Sequence, residues 1–309
     1  MELTPLVSIC STTYNLEKYI AEAIESWLAQ KTNFEFEIVI CDDCSNDKTI
    51  EIIESYIQKH PNKIRLFTAE NNMGMMPNYT RSLLAAKGKY IAICDGDDYW
   101  IDDNKLQMQI DFLESNNTFV ACLTNSIVLN DETKETKIAK TLIWDEADSE
   151  GLLFHDDFHK DNIELSAGHV STYVFRNHLV DNYPYWFLDD DVITDFPLYL
   201  INSKYGRTKF INTNTSVYRN RAGSHSLTWY GYLKIQRSRI KMYKCINEYL
   251  DYKFNKQIKT IIAKHYLNLF KYYCKNNKRK EAVNAFIAIL KNNKMEIFSY
   301  VFSGIRNRL

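Results

Sequence analysis

In the first hundred residues, short and mainly apolar runs alternate with segments of helical period, and this alternation narrows the available folds more than any other feature of the chain. Residues 6–11, 36–41, 64–68 and 90–94 have strand length and a largely apolar character. Residues 17–30, 47–59 and 77–87 repeat apolar positions every three to four residues, which predicts helices between those strands. Pro77 would open the third helix, where its missing N–H does no harm, and Gly88 would end it. Strands joined by helices in this order imply an α/β fold, with a mainly parallel sheet covered by helices on both faces. Such sheets bind ligands beyond the carboxyl ends of their strands. Three polar clusters fall at such ends: Thr12-Thr13-Tyr14-Asn15, Asp42-Asp43 and Asp95-Gly96-Asp97-Asp98. They should meet at one edge.

The last of these clusters carries the most chemistry. Carboxylates at the end of a buried strand are costly unless a cation meets them. Clustered carboxylate oxygens suit a hard divalent ion such as Mg²⁺ or Mn²⁺. An Asp-Gly turn followed by a capping Asp accounts for the same residues as structure alone.

The 309 residues suit one large α/β domain or a domain plus an appendage, and 45% hydrophobic with 25% charged residues is an ordinary globular composition. No apolar stretch approaches the roughly 20 residues of a membrane span. The first five residues lack the basic and apolar blocks of a signal peptide. Seven scattered cysteines, an odd number, point to reduced thiols in a cytoplasmic protein; Cys41 and Cys44 lack a second pair at zinc-site spacing and read as structural.

Charge divides the chain. From Tyr232 to the end there are 18 Lys and Arg against 4 Asp and Glu, whereas residues 1–231 carry 20 against 35. The basic end is helical in pattern and invites an anionic partner such as a membrane surface; a solvated face docked on the acidic half, or a helical homodimer interface, uses the same residues. Nucleic acid is the weakest partner, since no RNA-binding signature accompanies the lysines. Between the two regions, residues 131–161 form a polar excursion, 171–176 return to strand character, 195–204 look helical, and 207–219 read as one or two strands. The composition break at 221–228 marks a domain boundary, giving a domain of residues 1–228 and a basic helical region of 229–309.

Taken in order, these segments resemble family 2 glycosyltransferases of the GT-A fold, of the inverting kind that builds bacterial surface glycans. The resemblance rests on Val7-Ser8-Ile9-Cys10-Ser11-Thr12-Thr13-Tyr14-Asn15, on Glu37 to Thr49 around Asp42-Asp43, and on Asn72-Met73-Gly74. It continues through Ala86 to Ala92, Cys94-Asp95-Gly96-Asp97-Asp98-Tyr99-Trp100, Thr194-Asp195-Phe196-Pro197-Leu198 and Val217-Tyr218-Arg219. It covers about two thirds of the chain and leaves the basic tail unexplained. The resemblance implies a nucleotide-sugar half, 1–100, and an acceptor half, 101–228. It implies transfer of a hexosyl or N-acetylhexosaminyl group from a nucleotide diphosphate donor, a UDP-sugar above all, to a hydroxyl of a surface-glycan or lipid-linked saccharide. The alternative is a nucleotide-sugar-binding or scaffolding protein that kept the fold without turnover. The expected location is cytoplasmic and peripheral on the inner face of the cell membrane.

Residue by residue, the resemblance implies that Thr12 and Tyr14 line the nucleotide base pocket and that Asp42 or Asp43 bonds uracil or ribose. Asn78 or Arg81 would reach the diphosphate or sugar. Asp97 would bind Mn²⁺ or Mg²⁺, Asp95 would touch ribose or metal, and Gly96 would lie at the donor. Asp98 fits a helix cap or an orienting role. Asp195 would be the base that takes the acceptor proton, with Asp191 one helical turn away in reserve. Many relatives carry His where this chain has Arg221, so His225 could supply an imidazole to the metal, or Arg221 could hold diphosphate. His169 reads as a packed histidine or an acceptor-site residue, and Trp100, Trp186 and Trp229 as sugar platforms or core.

Overall fold

The computed structural model describes residues 4–139, 145–148, 151–152, 168–178, 183–188, 196–221 and 231–293. The chain forms two compact units, Met1–Asp190 with Leu198–Ala222, and Asp191–Pro197 with Gly223–Leu309.

The first unit is built on a ten-stranded sheet. Its early strands are β1 (Val7–Thr13), β2 (Phe36–Asp42), β3 (Ile64–Thr68) and β4 (Tyr90–Ile93), alternating with helices α1 (Ile20–Leu28), α2 (Thr49–Lys59) and α3 (Met75–Leu84). β5 (Tyr99–Trp100), α4 (Lys105–Ser115), β6 (Phe119–Asn130), β7 (Thr136–Ile138) and β8 (Glu146–Ala147) come next. β9 (Val174–Arg176), α5 (Phe196–Ser203) and β10 (Arg207–Asn220) follow. The strand order is β3-β2-β1-β4-β9-β6-β10-β5, with β7 beside β6 and β8 beside β10. β3, β2, β1 and β4 are parallel neighbours, as their alternation with helices requires. Beyond them the sheet is mixed. β9 runs antiparallel to both β4 and β6. Its antiparallel pairing on both sides makes it the strand at which the sheet turns from parallel to mixed.

β2 and β4 are fully buried, β1 is buried except at Thr12, and β3, the edge strand, is only partly buried. α1 buries Ile20, Ala23, Ile24 and Trp27, one stripe at helical spacing, into a core shared with Ile9, Ile38, Ile40, Tyr90, Leu106 and Ile110. α3 starts at Met75, two residues before Pro77, whose lost N–H still falls among those a first turn leaves unbonded. It ends at Leu84, so Gly88 does not terminate it. A Cβ at Gly88 would lie 2.5 Å from the Ser8 nitrogen and 2.8 Å from the Tyr90 carbonyl oxygen. The glycine is there so that the chain can press against β1.

The second unit contains α6 (Tyr232–Tyr249), α7 (Asn255–Lys275) and α8 (Arg279–Asn292), with α7 packed on both others. Ile240, Tyr243 and Ile246 of α6 are buried, with Ile258, Ile261 and Ile262 of α7 and Ala282, Ala285 and Ile289 of α8. No described helix is long and apolar enough to cross a membrane.

Candidate functional site

The carboxyl ends of β1, β2 and β4 are interlocked. Asp43 N donates to Thr13 O at 2.9 Å and Gly96 N to Thr12 O at 3.0 Å, so the turns after β2 and β4 both hang on the end of β1. A Cβ at Gly96 would meet Thr13 Cγ2 at 2.7 Å, which is why the acidic turn carries glycine there. The three polar clusters therefore share one edge.

Thr12 Oγ1 donates to Asp95 Oδ1 at 2.9 Å and so fixes that carboxylate. Tyr14 exposes its ring. Asp42 and Asp43 differ sharply. Asp42 is buried and accepts from Thr13 Oγ1 and from both the amide and the hydroxyl of Ser45, bracing its own turn. Asp43 accepts from Met73 N at 2.7 Å and Gly74 N at 3.0 Å, holding the start of α3. Asn78 and Arg81, expected at the diphosphate or sugar, point into the framework: Asn78 Nδ2 donates to Cys41 O, and Arg81 Nη2 donates to Asp42 O, Phe67 O and Asn78 Oδ1. They hold the ends of β2 and β3 in place, because the last carbonyls of those strands need donors.

The acidic turn is met by β10. Arg219 is buried; its backbone N–H donates to Asp98 Oδ1 at 2.9 Å, and its Nε donates to Asp97 O at 2.9 Å. The same guanidinium pairs with Glu22 and Asp131 and lies over the rings of Tyr19 and Tyr99, at 5.0 and 5.1 Å. Arg221 Nε donates to Asp97 Oδ2 at 2.9 Å, and its guanidinium lies 5.2 Å from the Tyr19 ring centroid. Tyr19 in turn donates its hydroxyl to Asp131, whose pKa is lowered to about 2 by hydrogen bonds from Lys134 and Tyr19. Asp98 caps no helix; α4 begins at Lys105. Burial, reinforced by Asp97 and Asp95, pushes the Asp98 carboxyl well above the usual carboxylate range.

His169 stacks on Tyr218 with centroids 4.2 Å apart, shares a 2.8 Å hydrogen bond with Ser171 Oγ, and is pushed down to about 4 by burial. It is a neutral, packed ring at pH 7. Trp100 is core and not a sugar platform, since its indole N–H donates to Ser171 O at 2.9 Å and its side chain is buried. Trp186 is buried against Phe187. Asp191, Asp195, His225 and Trp229 lie outside the described residues.

Arg219, Tyr19, Glu22 and Asp131 were given no role on the sequence. Val217-Tyr218-Arg219 was the available signal, but only pairing across the sheet brings it to the acidic turn.

Among the described residues, no three His, Cys, Asp or Glu side chains converge as a ready metal cage. Asp95 and Asp97 still fit a hard ion. Mg²⁺-like cations need only one or two carboxylates when phosphate and water complete the shell.

A family model described as "Glycosyl transferase family 2" matches residues 8–184, more than half of the chain. The chain belongs to glycosyltransferase family 2. One relative is the putative teichuronic acid biosynthesis glycosyltransferase TuaG of Bacillus subtilis, 32% identical over 146 residues, covering 46% of this chain and 57% of TuaG. The matched stretches span between 38% and 57% of the lengths of the curated relatives. Among solved structures, S. aureus TarS 1-349 in complex with UDP-GlcNAc superimposes with a TM-score of 0.58 at 17% identity, covering 91% of this chain and 89% of that one. Mannosyltransferase PcManGT from Pyrobaculum calidifontis, in complex with GDP-Man and Mn²⁺, gives 0.51 at 15% identity, with 98% and 80% covered. These likenesses establish a fold of the GT-A type for this family 2 chain.

Proposed function

We propose that this protein is an inverting, divalent-metal-dependent glycosyltransferase that moves a hexosyl or N-acetylhexosaminyl group from a UDP-sugar to a hydroxyl of a surface-glycan or lipid-linked saccharide. The observation that carries the reading is the acidic turn locked to the end of β1, where the turn after β2 is also held, at the ligand-binding edge of a family 2 sheet. The names of its relatives support the substrate class: TuaG is assigned to teichuronic acid synthesis, and TarS was crystallised with UDP-GlcNAc. The PcManGT complex contains Mn²⁺, which supports a metal.

In this reading, Tyr14 stacks on the base and Asp43, whose oxygens each accept one backbone N–H, takes the nucleoside. Asp42 and Thr12 position those groups from behind. Asp97 and Asp95 hold Mn²⁺ or Mg²⁺, which when bound supplies positive charge beside the departing diphosphate. Asp195 takes the proton of the acceptor hydroxyl, with Asp191 in reserve. The test is mass spectrometry of the purified chain incubated with a panel of nucleotide sugars and Mn²⁺. We expect slow hydrolysis of one UDP-sugar, absent in Asp97→Ala; binding without any turnover would favour the scaffolding alternative.

The partner of the basic helices is the anionic face of the cell membrane, and the protein is cytoplasmic and peripheral there. Two observations support this. The residues from Tyr232 onward carry a surplus of 14 positive charges. On α8, the exposed residues Val283, Phe286, Ile287 and Leu290 form one apolar stripe between Lys278-Arg279-Lys280 and Lys291.

A further inference from the structure

We propose that Arg221 is the resident counter-cation of the acidic turn, and that a divalent ion reaches Asp97 only by displacing it, so that metal and nucleoside diphosphate bind this chain cooperatively. The inference rests on the function proposed above and adds a coupling to it. Its basis is the geometry of β10. Arg221 Nε sits 2.9 Å from Asp97 Oδ2, and the two side chains are only 17% and 20% exposed, so water screens the pair weakly. A hydrogen bond of that length occupies a lone pair that a hard ion would use. A dication and a guanidinium on one carboxylate also repel each other strongly at such low exposure.

Two arginines share the Tyr19 ring, and they are not equivalent. Arg219 is anchored by the Asp97 carbonyl, Glu22 and Asp131, and lies between two aromatic rings. Arg221 follows the end of β10, and among the described residues its carboxylate partner is Asp97. Arg219 is therefore the fixed member and Arg221 the releasable one. Once displaced, its planar guanidinium needs another anion, and a phosphate is the best match for that fork. A nucleoside diphosphate brings two. Metal on Asp97 and Arg221 on phosphate would thus form together, and by linkage each ligand raises the affinity for the other by the same factor.

The experiment is Mn²⁺ titration of the full chain, followed by the electron paramagnetic resonance signal of free Mn²⁺, with and without saturating UDP. Wild-type protein should bind Mn²⁺ weakly alone and much more tightly with UDP. Arg221→Gln should bind Mn²⁺ alone about ten-fold more tightly than wild type, and the enhancement by UDP should shrink by about the same factor. Arg221→Lys keeps a cation at a less suited geometry and should fall between them, which guards against a Gln variant that fails to fold. If both variants bind Mn²⁺ alone no better than wild type, the displacement idea is wrong while the metal site can still stand. Asp97→Asn separates the two: Mn²⁺ affinity unaffected by that change would remove the metal assignment itself.

Discussion

Lys105 offers a measurement in which the sign and size of an effect follow from one buried atom. Its side chain is fully buried at the start of α4, with Nζ 2.5 Å from Gln109 Oε1 and 4.5 Å above the Trp100 ring. Burial lowers its pKa from 10.5 to about 8. Below pH 8 both the folded and the unfolded chain hold the proton, and the full cost of burying the ammonium is present. Between pH 8 and 10.5 the unfolded chain keeps a proton that the folded chain has released, so stability rises with pH. At about 1.4 kcal/mol per pH unit, integration from pH 7 to pH 10 predicts a gain of about 2–3 kcal/mol from this residue alone. Lys105→Met removes the group. At pH 7 relief of the buried charge is offset by about 1–3 kcal/mol for leaving Gln109 Oε1 without its donor, so the variant should match wild type closely there. Urea unfolding of both proteins at pH 7 and pH 10 isolates the effect, because every other titrating group is common to the two. Wild type should pull ahead of the variant by about 2–3 kcal/mol at pH 10. A stability difference that is the same at both pH values would refute the reasoning.

Gly88→Ala should destabilise the protein by about 3 kcal/mol, the upper end of overpacking, because the three atoms that a Cβ would strike are all backbone and cannot rotate away; an unchanged urea midpoint would contradict this. In liposome flotation, the full chain should be recovered with anionic vesicles and not with neutral ones, and Phe286→Ser combined with Ile287→Ser should reduce the recovery. Equal recovery on both vesicle types would exclude electrostatic docking.

What could be read from the sequence divides along contact range. β3 falls on the predicted residues 64–68, and α2 differs from its prediction only at its start, because apolar period is a local signal. β1 runs two residues beyond the predicted end: Thr12 and Thr13 are polar, yet they pair with Cys41 and Asp42 in the parallel ladder. Backbone bonds, which the side-chain pattern does not encode, extend the strand. Residues 207–219, read as one or two strands, form a single strand with irregular register against β6. The joining of the acidic turn to Arg219 spans more than 120 residues, and no local pattern carries such a pairing. Asn78 and Arg81 meet a related limit. Their spacing on one helix face is visible in the sequence, but whether that face meets ligand or strand carbonyls depends on where α3 lies on the sheet.

The acidic turn itself shows why a string of carboxylates does not by itself specify a metal cage. Its three aspartates lie within four residues, and the fold treats each differently. Asp98 is buried, which raises its carboxyl above the usual carboxylate range, and its Oδ1 accepts the amide that fixes β10. Asp95 is turned by the Thr12 hydroxyl. Asp97 alone of the three faces a guanidinium side chain that can leave. On this account the third aspartate acts as scaffold, and the selectivity of the turn lies in the exchange at Asp97.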